Sequence, residues 1–516
     1  MMKKISILLG TVCLLASCGT NVPESFTESA SLPTIYPDYA DVTIPVNIAP
    51  LSFLLDDEAD EMVTRFSYGD EELICGGLKA QPDVDDWHQL TVAAQGHDIN
   101  VEVFARKGEQ WTRYKPFVFH VSADSIDSYL SYRLISPSYV TYEELTLNQR
   151  CLENYDERVM VDNMLCSTER EGQCVNCHSY QQYNPDRMLF HARQNMGGTV
   201  LAYDGKLRKI NISGDSILSA GVYPAWHPWL PLVVFSSNKT GQGFHTANHN
   251  KIEVFDTASD LIAFDAEKNQ VTNIECDTTE FETYPAWAPD GKTLYYCSAH
   301  FIYNDSVERD VDVITRAKEF KYNIYKKTFD PETMTFGPRQ IVFAADSLDK
   351  SATLPRISPD GRFLVFTLGN YGNFHIWHHE ADLWIMELSE KAYPHPLPKG
   401  RELRVNIEEY EAHPMEGINS DDTESYHSWS SNGRWMVVSS RREDGNYTRP
   451  YFAHIDEQGR SAKPFVLPQA DPEFHRLFIK SYNIPEFMRG PVKYKPQDFA
   501  KVLRKEKGQR VEYKKR

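Results

Sequence analysis

Short runs in which apolar and polar residues alternate fill residues 36–135: DVTIPVNIA, EMVTRFSYG, HQLTVAAQ, INVEVFARK, WTRYKPFVFHVS and YLSYRLI. A period of two, with β-branched and aromatic residues, marks strands that bury one face. Turn formers separate the runs, so the stretch reads as an antiparallel β-sandwich of immunoglobulin-like size. It shows no constellation of catalytic residue types, and His97 and His120 read as surface or strand-end residues. Over 136–196 the pattern changes. TYEELTLNQRCLENYDERVMVDNML is charged and tolerates helix, and it leads into GQCVNCHSY and SYQQYNPDRMLFHARQNMGG. This stretch reads as a small helical or irregular insert.

From 197 the alternation returns inside a longer repeat. Tyr223-Pro-Ala-Trp-His-Pro, Tyr284-Pro-Ala-Trp-Ala-Pro-Asp-Gly-Lys, Leu354-Pro-Arg-Ile-Ser-Pro-Asp-Gly-Arg and Tyr426-His-Ser-Trp-Ser-Ser-Asn-Gly-Arg each run into an apolar strand. Asp-Gly or Asn-Gly in the last three supplies the positive φ of a tight hairpin. Further strand pairs follow each copy, and about four strands per repeat is the pattern of a propeller blade. The segments resemble the TolB-type, WD-repeat-like motif, which implies a propeller of five or six blades over 197–480 and leaves 481–516 as a C-terminal tail. The anchors Trp226, Trp287, Ile357 and Trp429 are 61, 70 and 72 residues apart. That exceeds an ordinary blade, so long insertions are expected at GQGFHTANHNKIEVFDTASD, NDSVERDVDVITRAKEF and YGNFHIWHHEA.

The first residues, MMKKISILLGTVCLLASCGT, join a basic start to an apolar run too short to span a bilayer. Leu15-Ala16-Ser17-Cys18 resembles the lipobox of bacterial lipoproteins. The resemblance implies a signal peptide over 1–17, a lipid-bearing Cys18 and a polar tether over 18–35. The implied location is extracytoplasmic and lipid-anchored, with an outer-membrane position facing the periplasm favoured. Lys+Arg 54 against Asp+Glu 73 gives a net charge of −19. That argues against nucleic acid as a partner and against a polybasic membrane contact.

Nine cysteines leave Cys174 and Cys177 in Cys-x-x-Cys-His, with Cys151 and Cys166 spaced for a disulfide. Three chemistries fit the motif: a redox dithiol, half of a zinc site, or anchorage of haem. No βαβ alternation surrounds it, which disfavours the dithiol. Cys166 and His191 could complete a zinc site. The motif resembles that of c-type cytochromes, which implies Cys174 and Cys177 as haem thioether anchors and His178 as the proximal iron ligand. His191 is the favoured distal ligand, Met196 the alternative, and Met188 is also within reach. The whole arrangement resembles Bacteroidota lipoproteins that combine a β-domain, a Cys-x-x-Cys-His segment and a TolB-like propeller, for which no substrate is implied.

The leading expectation is a tethered electron-transfer or redox-sensing protein, not an enzyme, with haem c and a protein partner on the propeller. The alternatives are a non-catalytic interaction module with a zinc or disulfide site, and a hydrolase or lyase working in the propeller channel. The histidine-rich loops at His245, His249, His375, His378 and His379 could hold a metal where loops converge on one propeller face, or be solvated loop residues and caps. Histidine or carboxylate clusters at the propeller mouth would favour the hydrolase or lyase.

Overall fold

The computed structural model describes residues 20–136, 144–166, 174–245, 250–388, 412–505 and 507–515. The signal segment, Cys18 and His249 lie outside the described residues. Among the described residues no helix is long and apolar enough to cross a membrane. The chain is mainly β, with an N-terminal pair of sheets and a β-propeller.

The N-terminal part pairs a seven-stranded sheet with a three-stranded one. Its core gathers Phe53, Phe66, Phe117 and Phe119 around Trp87. The run HQLTVAAQ, expected as a strand, is the C-terminal part of a helix, Val84–Ala93. Asp83 caps it by accepting from the amides of Asp85 and Asp86, and Trp87, Leu90 and Thr91 bury one helical face. A helix signal was present as an Asp cap followed by apolar residues three and four apart, and period two was the wrong reading.

Six four-stranded blades follow one another around an axis. The inner strands of blades one to five are Val175–Tyr180, Gly221–Trp226, Glu280–Trp287, Ser351–Ile357 and Glu424–Trp429. The inner strand of blade six is Ser481–Met488, which pairs with Tyr129–Ile135, followed outward by Thr146–Cys151 and Glu157–Asp162. Residues distant in sequence therefore complete one blade and close the ring.

Three expected boundaries change as a result. The β-domain ends before Tyr129, the 136–196 stretch is divided between blades six and one, and the 481–516 tail carries an inner strand. Cys151 and Cys166 sit toward opposite ends of the blade-six hairpin, separated by about 16 Å of strand. Both are free thiols.

The expected turns form. Gly291, Gly361 and Gly433 take φ of 57°, 78° and 70°. Asp290, Asp360 and Asn432 each hold the turn by accepting a backbone N–H two residues on. Blade two lacks Asp-Gly, and there His227 Nδ1 does the same work by accepting from Trp229 N and Leu230 N at 3.3 and 3.0 Å. The C-terminal segment adds edge strands in parallel: Gln509–Arg510 on blade one and Glu512–Tyr513 on blade two. They extend the C-terminal tail beyond the helix Pro496–Lys505.

The described residues of the inserted run from Gly241 are largely strand. They continue the blade-two strands Leu232–Phe244 and Ile252–Asp265 as a hairpin beyond the propeller face. This projection positions the candidate site.

Candidate functional site

Every inner strand carries one non-glycine residue with positive φ: Cys177, Tyr223, Tyr284, Leu354, Tyr426 and Ile484, all between 47° and 54°. Each strand also breaks register there. Left-handed backbone at a β-branched or bulky residue is costly and persists only where packing enforces it. The six residues form the constriction of the channel, with the Tyr223 and Tyr284 rings 4.4 Å apart. Cys177-His178-Ser179-Tyr180 is therefore the blade-one copy of Tyr223-Pro224-Ala225-Trp226. His178 occupies the place of Pro224, Pro285, Pro355, His427 and Pro485.

His427 shows what a histidine does at that place. It is buried, and Nε2 approaches the Val365 carbonyl on the preceding blade at 3.1 Å. His178 likewise faces the preceding blade, at the backbone of Ser131 and Ile484. It is 2% exposed, and neither ring nitrogen reaches hydrogen-bonding geometry. Burial pushes its pKa down to about 3, helped by Arg133. Cys177 faces the other way, toward the Tyr223 backbone of blade two, and burial raises its thiol.

Haem attachment needs both sulfurs at one porphyrin edge and the imidazole beneath the iron. Here the second thiol and the imidazole diverge to opposite sides of one blade, so the group does not fit. Cys174 alone opens into a cavity. His191 is buried on Met188–Ala192, with Nδ1 3.3 Å from Thr199 Oγ1. Burial lowers it too to about 3. Met188 is buried in the blade-one core, and Met196 lies in the Gln194–Met196 turn beyond the blade. The expectation of haem-based electron transfer is corrected accordingly. Among the described residues no three His, Cys, Asp or Glu side chains are disposed to hold a metal.

Above the constriction the channel opens into a funnel of about 540 Å³. Among the described residues its lining includes Arg133, Arg193, Lys251, Arg441 and His245, and no Asp or Glu. In a chain of net charge −19, that is a local inversion of sign. Arg133 is held by Asn176 Oδ1 and Asn483 Oδ1 at 2.6 and 2.8 Å. Arg441 lies 3.3 Å over the Trp377 ring and donates to the Ile376 carbonyl. The backbone N–H of Arg193 donates to the Cys174 carbonyl at 2.9 Å, while its guanidinium forms no ion pair or hydrogen bond among the described residues.

The blade-two hairpin forms one wall of the funnel. Beyond it lies a second cavity of about 360 Å³, lined by Phe255, Val313, Ile314 and Phe320 with Glu253 and Asp256. His245 and Val254 border both spaces. His245 is exposed, with Nε2 3.9 Å from Glu253 Oε1. Glu253 accepts from the Tyr371 hydroxyl at 2.6 Å and lies 3.1 Å from His378 Nε2. Burial alone would raise the Glu253 carboxyl, but His378, Tyr371 and His245 outweigh it and hold it below the usual carboxylate range. Asp256 accepts from Asn238, Thr240 and Asn373 at 2.7–2.8 Å, yet burial raises it to about 6.

The two histidine-rich loops thus do meet, at Glu253. His375 does not join them; it is buried against Thr353 Oγ1 and the Tyr371 carbonyl. His379 pairs with Asp422 at 3.2 Å. Sequence reasoning missed Glu253, Asp256 and Arg193. The alternation in KIEVFD was a signal that the supposed insertion continued the strands and carried its charges to the propeller face.

No protein-family model matches the chain, and no curated protein matches its sequence. Solved structures similar to it include a luciferin-regenerating enzyme (12% identity, 69% of this chain and 89% of that chain, TM-score 0.35). A puromycin-hydrolysing peptidase of Mycobacterium tuberculosis is another (11%, 86% and 57%, 0.34). A third is the β-propeller domain of the trilobed protease of Pyrococcus furiosus (10%, 73% and 96%, 0.31). At these identities the likeness is one of propeller fold. The expectation of a non-enzyme rested on the haem reading and is corrected with it; the similar structures include peptidases, and His245 of the funnel lining lies 3.9 Å from Glu253.

Proposed function

We propose that the chain is a propeller-borne hydrolase that takes an anionic substrate in its funnel. The observation that carries this reading is a cavity whose lining, among the described residues, has four Arg or Lys side chains and no carboxylate, with His245 at its wall and Glu253 behind it at 3.9 Å. The volume suits a small molecule. Arg193 and Lys251 neutralise the substrate anion. The Glu253 carboxylate, 3.9 Å from Nε2, favours the developing imidazolium of His245 by its charge, and Nδ1 takes a proton from a water as that water's oxygen attacks the scissile centre. The leaving group departs with the electrons of the broken bond, and the imidazolium returns the proton to it.

The test is a panel of chromogenic anions: p-nitrophenyl phosphate, sulfate and glucuronide, and succinylated peptide p-nitroanilides. Release of nitrophenol or nitroaniline that falls about 100-fold in kcat/KM in both His245→Ala and Arg193→Ala supports the reading. No turnover of any of them by the native chain, or turnover unchanged in both variants, overturns it.

We also propose that Cys18 carries diacylglycerol and holds the domain at a membrane outside the cytoplasm. The sequence of the first 20 residues supports this. Radiolabelled palmitate should enter the native chain and be absent from Cys18→Ser.

A further inference from the structure

Below the constriction, the residue after the proline or histidine of each inner strand faces the channel. These are Ser179, Ala225, Ala286, Arg356, Ser428 and Glu486, around a cavity of about 180 Å³. Four blades contribute small side chains and two contribute opposite charges. Arg356 is the strongest attraction felt by Glu486, and Glu486 by Arg356. Yet among the described residues neither forms an ion pair. Arg356 donates instead to the carbonyl of Pro355 at 3.1 Å, and Glu486 lies by the Tyr180 backbone.

This arrangement is unusual for a structural pair. Arg356 and Glu486 are partly buried, and opposite charges partly withdrawn from water gain by closing to direct contact, because desolvation is otherwise uncompensated. Arginine is long enough to make a two-pronged bond to a carboxylate, and here that does not happen. Burial raises the Glu486 carboxyl to about 7 while Arg356 opposes it. Ser428 stands between the two charges in blade order and Ser179 on the far side of Glu486, and Ala225 and Ala286 put only methyl groups on the lumen.

We infer that this lower end of the channel binds a small α-amino acid, its carboxylate on Arg356 and its ammonium on Glu486. One molecule carrying both charges on a short frame bridges a gap that the side chains leave unbridged. The site is independent of the funnel, from which the ring of Cys177, Tyr223, Tyr284, Leu354, Tyr426 and Ile484 separates it.

The experiment is isothermal titration of the full chain with glycine, L-alanine and L-serine. N-Acetylglycine and glycinamide each lack one charge. The amino acids are expected to bind, and each one-charge analogue to bind at least about tenfold more weakly. Glu486→Gln should abolish the preference for glycine over N-acetylglycine. Ala286→Leu fills the lumen without touching either charge and should abolish binding. His245→Ala should leave it intact, which separates this site from the funnel. No heat from any amino acid at millimolar concentration, equal affinity for glycine and both analogues, or full binding by Ala286→Leu each overturns the inference.

Discussion

Replacing His178 by proline tests whether Cys-x-x-Cys-His is a blade element. Proline stands at the equivalent place in four of the other five inner strands. His178 has an ordinary pKa of 6.5, and burial lowers it to about 3 in the folded chain. The unfolded chain therefore binds a proton that the folded chain refuses. The stability tied to the neutral imidazole is fully present above pH 6.5 and is lost as pH falls from 6.5 toward 3. At pH 5 the gap is about 1.5 pH units at ~1.4 kcal/mol each, or about 2 kcal/mol. His178→Pro removes that dependence. Measured against the native chain by urea unfolding, the variant should gain about 2 kcal/mol in relative stability between pH 7.5 and pH 5. At pH 7.5 it also removes two buried ring nitrogens without partners, each costing about 1–3 kcal/mol. His178→Leu should show the same pH effect and controls for the fit of the proline ring. The reasoning fails if the stability difference between variant and native is the same at both pH values.

The Arg193 guanidinium has no bonded partner among the described residues, so Arg193→Ala should change stability by less than about 0.5 kcal/mol while calorimetric affinity for inorganic phosphate falls about tenfold; a large stability loss would refute its role as a free cation. Glu253→Gln should lower kcat about 100-fold with KM nearly unchanged, because the substitution leaves His245 without an ionised partner; a KM effect alone would place Glu253 in substrate binding instead. Ending the chain after Gly508 removes the two edge strands and the buried Val511, and should cost about 2–3 kcal/mol, read as a lower Tm by calorimetry; an unchanged Tm would make these strands ornamental.

The repeat from Tyr223 to Trp429 was legible because propeller blades impose local rules. An apolar strand must follow a tight turn, and Asp-Gly or Asn-Gly is the chemistry that a positive φ selects. The same rules hid the other two blades. In blade one the motif residue is Cys177, and a cysteine-histidine pair carries a stronger chemical association than a structural one. In blade six the motif reads Ile484-Pro485-Glu486-Phe487, apart from its partner strands by more than 300 residues. Helix Val84–Ala93 was misread because alternation over a few residues resembles one face of a short helix.

The sequence by itself determined the strand periodicity, the turns and the net negative charge. Only the tertiary structure decided which residues meet. Ring closure turns Cys177 toward one neighbouring blade and His178 toward the other, a divergence that a five-residue motif cannot express. It also carries Arg193, Lys251 and Arg441 from separate blades to one funnel and brings His245 and His378 to Glu253. Contacts of that kind depend on the angle between blades, and packing around the whole ring sets that angle.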